Sequence, residues 1–189
     1  MNIKIGMCGL THLGLVYGSV FSKNFHCVLY DHRSKQIEKL KRNDLEIKEK
    51  NLKNLLIKNK KNISFTNDFN DIFKCDIIFI SADIKTNSKG KSDYSLINTY
   101  IKKIKKKINK KQTLIILSQL KPGFCNKLKS ELKSELIYFV ETLVFGNAVD
   151  RALHPERIIL GTNHKISRKA NYFFNKFQCP ILKMNYESA

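Results

Sequence analysis

The sequence has no apolar run long enough to cross a bilayer, and it enters Ile3-Lys4-Ile5 at once, leaving no room for a secretory leader. These absences predict a cytoplasmic protein with no membrane partner. The five cysteines (8, 27, 75, 125 and 179) are odd in number and include no Cys-x-x-Cys pair. Reduced thiols are therefore expected, and no metal site is implied. No repeat or low-complexity linker divides the 189 residues, a length that suits one domain with a packed core. Acidic residues are few: 16 Asp and Glu stand against 35 Lys and Arg, for a net charge of +19. Arginine supplies only five of those cations, and the lysine runs at 58–62 and 102–111 lack interleaved aromatics. Specific nucleic-acid modules favour both features, so no nucleic-acid partner is expected and the lysines read as solvated faces.

What is present is organised around one stretch, Ile3-Lys4-Ile5-Gly6-Met7-Cys8-Gly9-Leu10-Thr11-His12-Leu13-Gly14-Leu15. A short apolar run breaks at glycine and passes directly into a helical pattern, as in the first unit of a dinucleotide-binding βαβ. A helix opening at such a turn aims free N–H groups and its positive dipole end at a pyrophosphate. Twenty-two residues after Gly9, at the end of the apolar run 27–30, stands Asp31, placed to accept from the adenosine ribose hydroxyls. The usual Gly-x-Gly-x-x-Gly reads Gly9-x-Thr11-x-x-Gly14 here, and the Thr11 hydroxyl is a candidate donor to a phosphate oxygen. Gly14 and Gly18 share a face that lets the helix lie close on the sheet.

The chain then alternates. Helix is expected over 34–45, with a short amphipathic helix around Leu52, Leu55 and Leu56. A strand follows over 63–66, a capped helical turn over 67–73, and a buried strand over 76–81. A polar loop over 82–92 leads to a long helix from about Asp93, with Leu96, Ile97, Tyr100, Ile101, Ile104 and Ile108 on one face and lysines on the other. Strand 113–117, the loop 118–123, helix 124–135 and strand 137–140 come next. Beyond them lie strand 158–161, helix 166–177 and strand 181–184. Strands alternating with helices predict an α/β fold: a Rossmann-like, doubly wound, mostly parallel sheet with helices on both faces.

Five motifs in order carry a family resemblance: the glycine turn 9–15, Asp31, Ser92-Asp93, Ser118-Gln-Leu-Lys-Pro-Gly123, and the block from Glu141 to Gly161. Together they resemble the N-terminal NAD-binding domain of the UDP-glucose/GDP-mannose dehydrogenases, over nearly the whole chain. The resemblance implies one NAD-binding domain over 1–189, with the family's central helix and C-terminal substrate domain lying outside it. It implies oxidation of the C6 alcohol of a nucleotide sugar, most simply a UDP-sugar, to a carboxylate with two NAD, by way of a covalent cysteine adduct that water releases. The full-length family protein is expected to be a homodimer. By the same resemblance Gly9, Thr11, His12, Leu13, Gly14 and Asp31 hold the adenosine half of NAD. Ala82, Asp83, Ile84, Ser118 and Gln119 line the nicotinamide half; Glu141 works at the sugar, orienting or deprotonating water, and Gln119 is a second catalytic candidate, at the position where many members have a Thr that assists that water.

Departures from the family pattern are Thr11 for the middle glycine, Gln119 where many members have Thr, and Phe145 for a second acidic residue. The nucleophilic cysteine of the family lies in a downstream Gly-Gly-x-Cys segment, and none of these five has that setting. Cys8 reads as core, whereas Cys125, at a helix start, is a candidate for a lowered thiol pKa. The chain alone is thus expected to bind NAD without turnover. Competing readings are another NAD(P)-dependent dehydrogenase of the hydroxyacid or 6-phosphogluconate type, for which Arg33 hints at NADP, and a basic nucleic-acid-binding module.

Overall fold

A computed structural model describes residues 1–189. Ten strands and seven helices follow the chain: β1 (Lys4–Cys8), α1 (His12–Phe21), β2 (His26–Tyr30), α2 (Ser34–Lys41), α3 (Leu52–Lys58), β3 (Ile63–Thr66), β4 (Ile77–Ile80), β5 (Lys85–Thr86), β6 (Ser92–Asp93), α4 (Ser95–Lys107), β7 (Thr113–Ile116), α5 (Phe124–Ser130), β8 (Glu135–Val140), α6 (Ala148–Leu153), β9 (Ile158–Gly161), α7 (Arg168–Phe174) and β10 (Ile181–Met184). Eight of the strands form one sheet in the order β10-β9-β8-β7-β4-β1-β2-β3. Pairing is parallel throughout except where β9 meets β8.

Both faces of the sheet are covered because its central strands are near-continuous apolar runs, buried throughout in β4 and β7, and period-two alternation sends neighbours to opposite sides. Ile5, Met7, Ile77, Phe79, Ile115, Ile137 and Phe139 pack into one core, with α1, α2, α3, α6 and α7. Cys8, Ile78, Ile80, Leu114, Ile116 and Leu136 pack into the other, with α4 and α5. Phe21 anchors the first core, edge-on to Phe173 at 4.9 Å between ring centroids. On α4, Ile97, Tyr100, Ile101 and Ile104 are buried while Lys102, Lys103, Lys105, Lys106 and Lys107 are exposed, so the main lysine run is the wet face of an amphipathic helix.

The architecture is the expected one, and four boundaries move for identifiable reasons. The helix expected over 34–45 stops at Lys41. There Asn43 takes a left-handed φ of 59°, and the Asp44 and Asn43 N–H groups bond back to the Lys39 and Leu40 carbonyls, closing the helix in a Schellman motif. The helix expected over 124–135 stops at Ser130, and Glu135 instead opens β8, where its carboxylate accepts from the Thr113 and Ser167 hydroxyls. Within the polar loop after β4, β5 and β6 pair into a small antiparallel ribbon. The stretch 148–153, not foreseen as helical, forms α6 because Ala148, Val149 and Ala152 bury one face.

Strand order reverses between β1 and β4, and at this switch point α1 leaves β1. Helix and turn touch directly: a Cβ added to Gly14 would lie 1.9 Å from the Gly9 carbonyl oxygen. At Gly18 an added Cβ would meet only the flexible Leu29 side chain, at 2.7 Å. Gly14→Ala should therefore cost at least about 3 kcal/mol, the upper end of overpacking, and Gly18→Ala about 1 kcal/mol. Thermal melts of the two variants check this ordering; equal losses would mean that the turn yields as readily as a leucine.

Candidate cofactor site at the switch point

Gly9 follows β1 directly with a φ of +101°, and an added Cβ would sit 2.8 Å from that of Ala82, the second residue after β4. The chain can cross here only without a side chain. Ser81 locks the crossing by donating its hydroxyl to the Gly9 carbonyl at 3.0 Å. From this crossing α1 departs with no cap from the Thr11 side chain and no acid in its first turn, and its leading N–H groups open at the carboxyl edge of the sheet, where the Asp83 carboxylate stands beside the His12 N–H.

Two clefts open along that edge and share Asp83 as their divide. One is lined by Thr11, Asp31, His32, Arg33, Asp83, Lys85, Asp93, Tyr100 and Lys103, with three further α4 residues. The other is lined by His12, Leu13, Asp83, Ile84, Gln119, Glu141, Leu143 and Phe145. Of the residues singled out from sequence, Thr11 and Asp31 thus face the first cleft, Asp83 both, and His12, Leu13, Ile84, Gln119 and Glu141 the second. Gly9, Gly14, Ala82 and Ser118 line neither. They lie beneath as the floor, and the buried Ser118 hydroxyl donates to the Ala82 carbonyl at 2.6 Å.

The Thr11 side chain departs from expectation. Its hydroxyl donates to the Ser81 carbonyl at 3.3 Å and accepts from the Asp83 N–H at 3.1 Å. A hydroxyl has one proton to give, so in this geometry Thr11 stitches the two loops together and has none for a phosphate. Asp83 carries its carboxylate on the divide; desolvation by the cleft walls raises its pKa, outweighing the nearby Thr11 hydroxyl.

Asp31 is 1% exposed, and all four of its acceptor positions are filled. One carboxylate oxygen takes the Arg33 N–H and Nε, and the other takes the Leu10 N–H and Arg33 Nη2, at 2.8–3.0 Å. Burial raises its pKa, but the Arg33 side-chain bonds, then the Arg33 and Leu10 N–H groups, more than offset this and leave the carboxyl below its ordinary 3.8. Arg33 is therefore engaged by Asp31 and is not a free cation for a second phosphate. His32 completes this corner through Tyr100, whose hydroxyl lies 3.2 Å from His32 Nδ1. Periodicity had marked Tyr100 only as core.

In the second cleft, Glu141 accepts from the Leu143 N–H at 2.9 Å and from Gln119 Nε2 at 3.3 Å. Phe145, 83% exposed, lays its ring 4.4 Å from that of His12. Behind them stands a residue that sequence reasoning missed: Glu49, in the polar segment after α2, accepts from His12 Nε2, Gly146 N–H and Ala148 N–H. An acid flanked by lysines at 48 and 50 gave no periodic signal of this.

The description "UDP-glucose/GDP-mannose dehydrogenase family, NAD binding domain" matches residues 3–178. The chain belongs to that family, as its NAD-binding domain. It is 30% identical to the UDP-glucose 6-dehydrogenase of Rickettsia typhi over 174 residues, which are 87% of this chain and 40% of that protein. A UDP-glucose dehydrogenase from Pyrobaculum islandicum superposes with a TM-score of 0.88 at 20% identity, over 100% of this chain and 47% of that one. GDP-mannose dehydrogenase from Pseudomonas aeruginosa gives 0.86 at 20% identity, again over 100% and 47%. The chain thus spans less than half the length of these relatives.

Within this NAD-binding domain no cysteine lines either cleft. Cys125, a sequence candidate for a reactive thiol, is instead buried, and burial pushes its pKa up to about 12. A helix start lowers a thiol pKa only where the sulfur faces solvent or a cation, and here it faces core.

The depressed Asp31 carboxyl contributes stability above its ordinary 3.8, and that contribution is lost as pH falls through the lower folded value. Melts of wild type and Asp31→Asn should differ at pH 7, with wild type the more stable, and converge in acid below that range. A gap that persists at low pH would mean that the carboxylate charge is not what stabilises this corner.

Proposed function

We propose that NAD lies across the two clefts, with its adenosine half beside Asp31 and its nicotinamide half between Leu13 and Glu141. The reading is carried by one observation: the uncapped start of α1 points at the place where the clefts meet, over a glycine floor that admits no side chain. The first N–H groups of α1 then donate to the pyrophosphate. Asp31 accepts from the ribose hydroxyls, which take the place of part of its Arg33 contacts, while the remaining contacts keep the guanidinium paired with the carboxylate.

NAD, when bound, supplies the hydride acceptor. In the full-length protein the reaction is oxidation of the C6 alcohol of a UDP-sugar to a carboxylate. Such an oxidation would pass two hydrides to two equivalents of that acceptor and take its second carboxylate oxygen from water. Glu141, held by the Leu143 N–H and by Gln119, is placed to accept a proton from that water. The thiol that holds the intermediate comes from the rest of the full-length protein, because the cysteines of this chain lie away from both clefts. The protein is further proposed to act in the cytoplasm as a homodimer, without a nucleic-acid partner; no helix here is long and apolar enough to cross a membrane.

Calorimetric titration of the purified chain with NAD tests the binding half of this reading. Asp31→Ala should weaken NAD by about tenfold or more, the worth of a charge-assisted hydrogen bond. NADP should bind wild type more weakly than NAD, since its 2′-phosphate meets the Asp31 carboxylate. Unchanged NAD affinity in the variant would remove the ribose assignment. Incubation with UDP-glucose and NAD should yield no sustained NADH from residues 1–189; sustained turnover would show that the chain holds its own nucleophile.

A further inference from the structure

Glu49 is a buried acid that the proposed reaction does not use. Its side chain is 0% exposed although Lys48 and Lys50 on either side are exposed. The carboxylate spends one oxygen on His12 Nε2 and the Gly146 N–H, each at 2.9 Å, and the other on the Ala148 N–H at 3.0 Å. These partners belong to opposite walls of the second cleft. His12 opens α1, the wall that carries Leu13. Gly146 and Ala148 close the segment that carries Glu141, Leu143 and Phe145, and no ladder bond of the sheet reaches that segment beyond Val140. The buried face of α6 packs in the same core as α1, and a group that bonds both walls at once adds a polar tie at the cleft end of that packing.

We infer that Glu49 is a positioning residue for the nicotinamide half of the cofactor site: it touches no ligand, and it fixes the Glu141–Gly146 segment against the start of α1. The inference rests on the NAD reading above. Two details support it. Phe145 keeps an 83% exposed ring over His12 with nothing beyond it to hold it there, so the loop backbone must supply the restraint. Leu143 packs on the first core and the Asn147 N–H bonds the Val144 carbonyl within the loop, but at Gly146, which has a φ of +83° and open space where a side chain would be, the tie to the rest of the molecule is Glu49. The adenosine cleft, lined by α4 and the end of β2, makes no bond to Glu49. Its loss should therefore divide the cofactor into two halves with different responses.

The test is titration of wild type and Glu49→Gln with NAD and, separately, with ADP, which carries only the adenosine half. Glutamine keeps the size of the side chain but sets an amide donor against donors. NAD affinity should fall about tenfold while ADP affinity stays within about twofold of wild type, and amide exchange should quicken at Gly146 and Ala148 but not in β1. If Glu49→Gln does not fold, Glu49→Asp, a carboxylate one methylene shorter, takes its place with the same split expected. Unchanged NAD affinity overturns the inference, as does a parallel loss of NAD and ADP, which would mark Glu49 as a general structural tie. A wild type that binds ADP and not NAD, or neither, overturns the NAD reading itself, an outcome distinct from the first two.

Discussion

Helix α1 reaches the switch point only because no side chain stands between Gly14 and the Gly9 carbonyl, and the site depends on that contact. The helix start, the turn and the end of β4 converge within van der Waals distance, which brings several backbone polar groups together out of water. Each must find a partner or cost about 1–3 kcal/mol. Ser81 gives its hydroxyl to the Gly9 carbonyl and its N–H to the Cys8 carbonyl, and the Ser118 hydroxyl serves Ala82. Two serines at the ends of central strands, both 0% exposed, are thus the polar mortar of a floor whose apolar part is glycine and alanine.

A second constraint is the shortage of acids. With 16 carboxylates against 35 cations, several of the acids are internal ties. Asp31 joins the ends of β1 and β2 to Arg33, Asp76 takes the Lys4 N–H and Lys169, Glu135 joins β7 to α7, and Glu49 joins α1 to α6. The lysines, by contrast, coat α4 and the outer loops. The net charge is set by the counts alone, but its surface distribution follows from these ties, since several of the few acids are turned inward while the lysines face solvent. For Asp31, Asp76 and Glu49 the tie holds the carboxyl below its ordinary value against the opposing effect of burial, so acid attacks internal joints before the apolar core.

The fold was largely legible because its signals are local. Apolar runs at 76–81 and 113–117 cannot be read as anything but buried strands once helices of period 3.6 stand between them. The glycine turn and Asp31 were legible for the same reason, being a strand end and a fixed interval. What escaped depends on pairs distant in sequence. Glu49 bonds residues 37, 97 and 99 positions away, and no pattern within its own lysine-rich segment foretells that. The early end of α2 was within reach, since Asn43 is a familiar left-handed stop, but apolar Leu45 falls at a helical interval and argues the other way. Glu135 moved from helix to strand because Thr113 and Ser167 both need an acceptor, again a fact of tertiary neighbours.

Thr11 and Phe145 show how departures from a motif are absorbed. A glycine at position 11 would leave the Asp83 N–H without the acceptor it has at 3.1 Å, and the β4 loop would be joined to the turn only through Ser81. Threonine points its hydroxyl sideways into that gap, so the path from the start of α1 to the clefts stays clear. Phe145 stands where the family resemblance puts an acid, and it finds the His12 ring instead. That ring is presented by Glu49, which also holds the loop bearing Phe145. The two departures therefore rest on neighbouring ties: Thr11 on the Ser81–Gly9 crossing, Phe145 on the Glu49 bridge. A motif position accommodates another residue type when the geometry around it is held by bonds that its own side chain does not make.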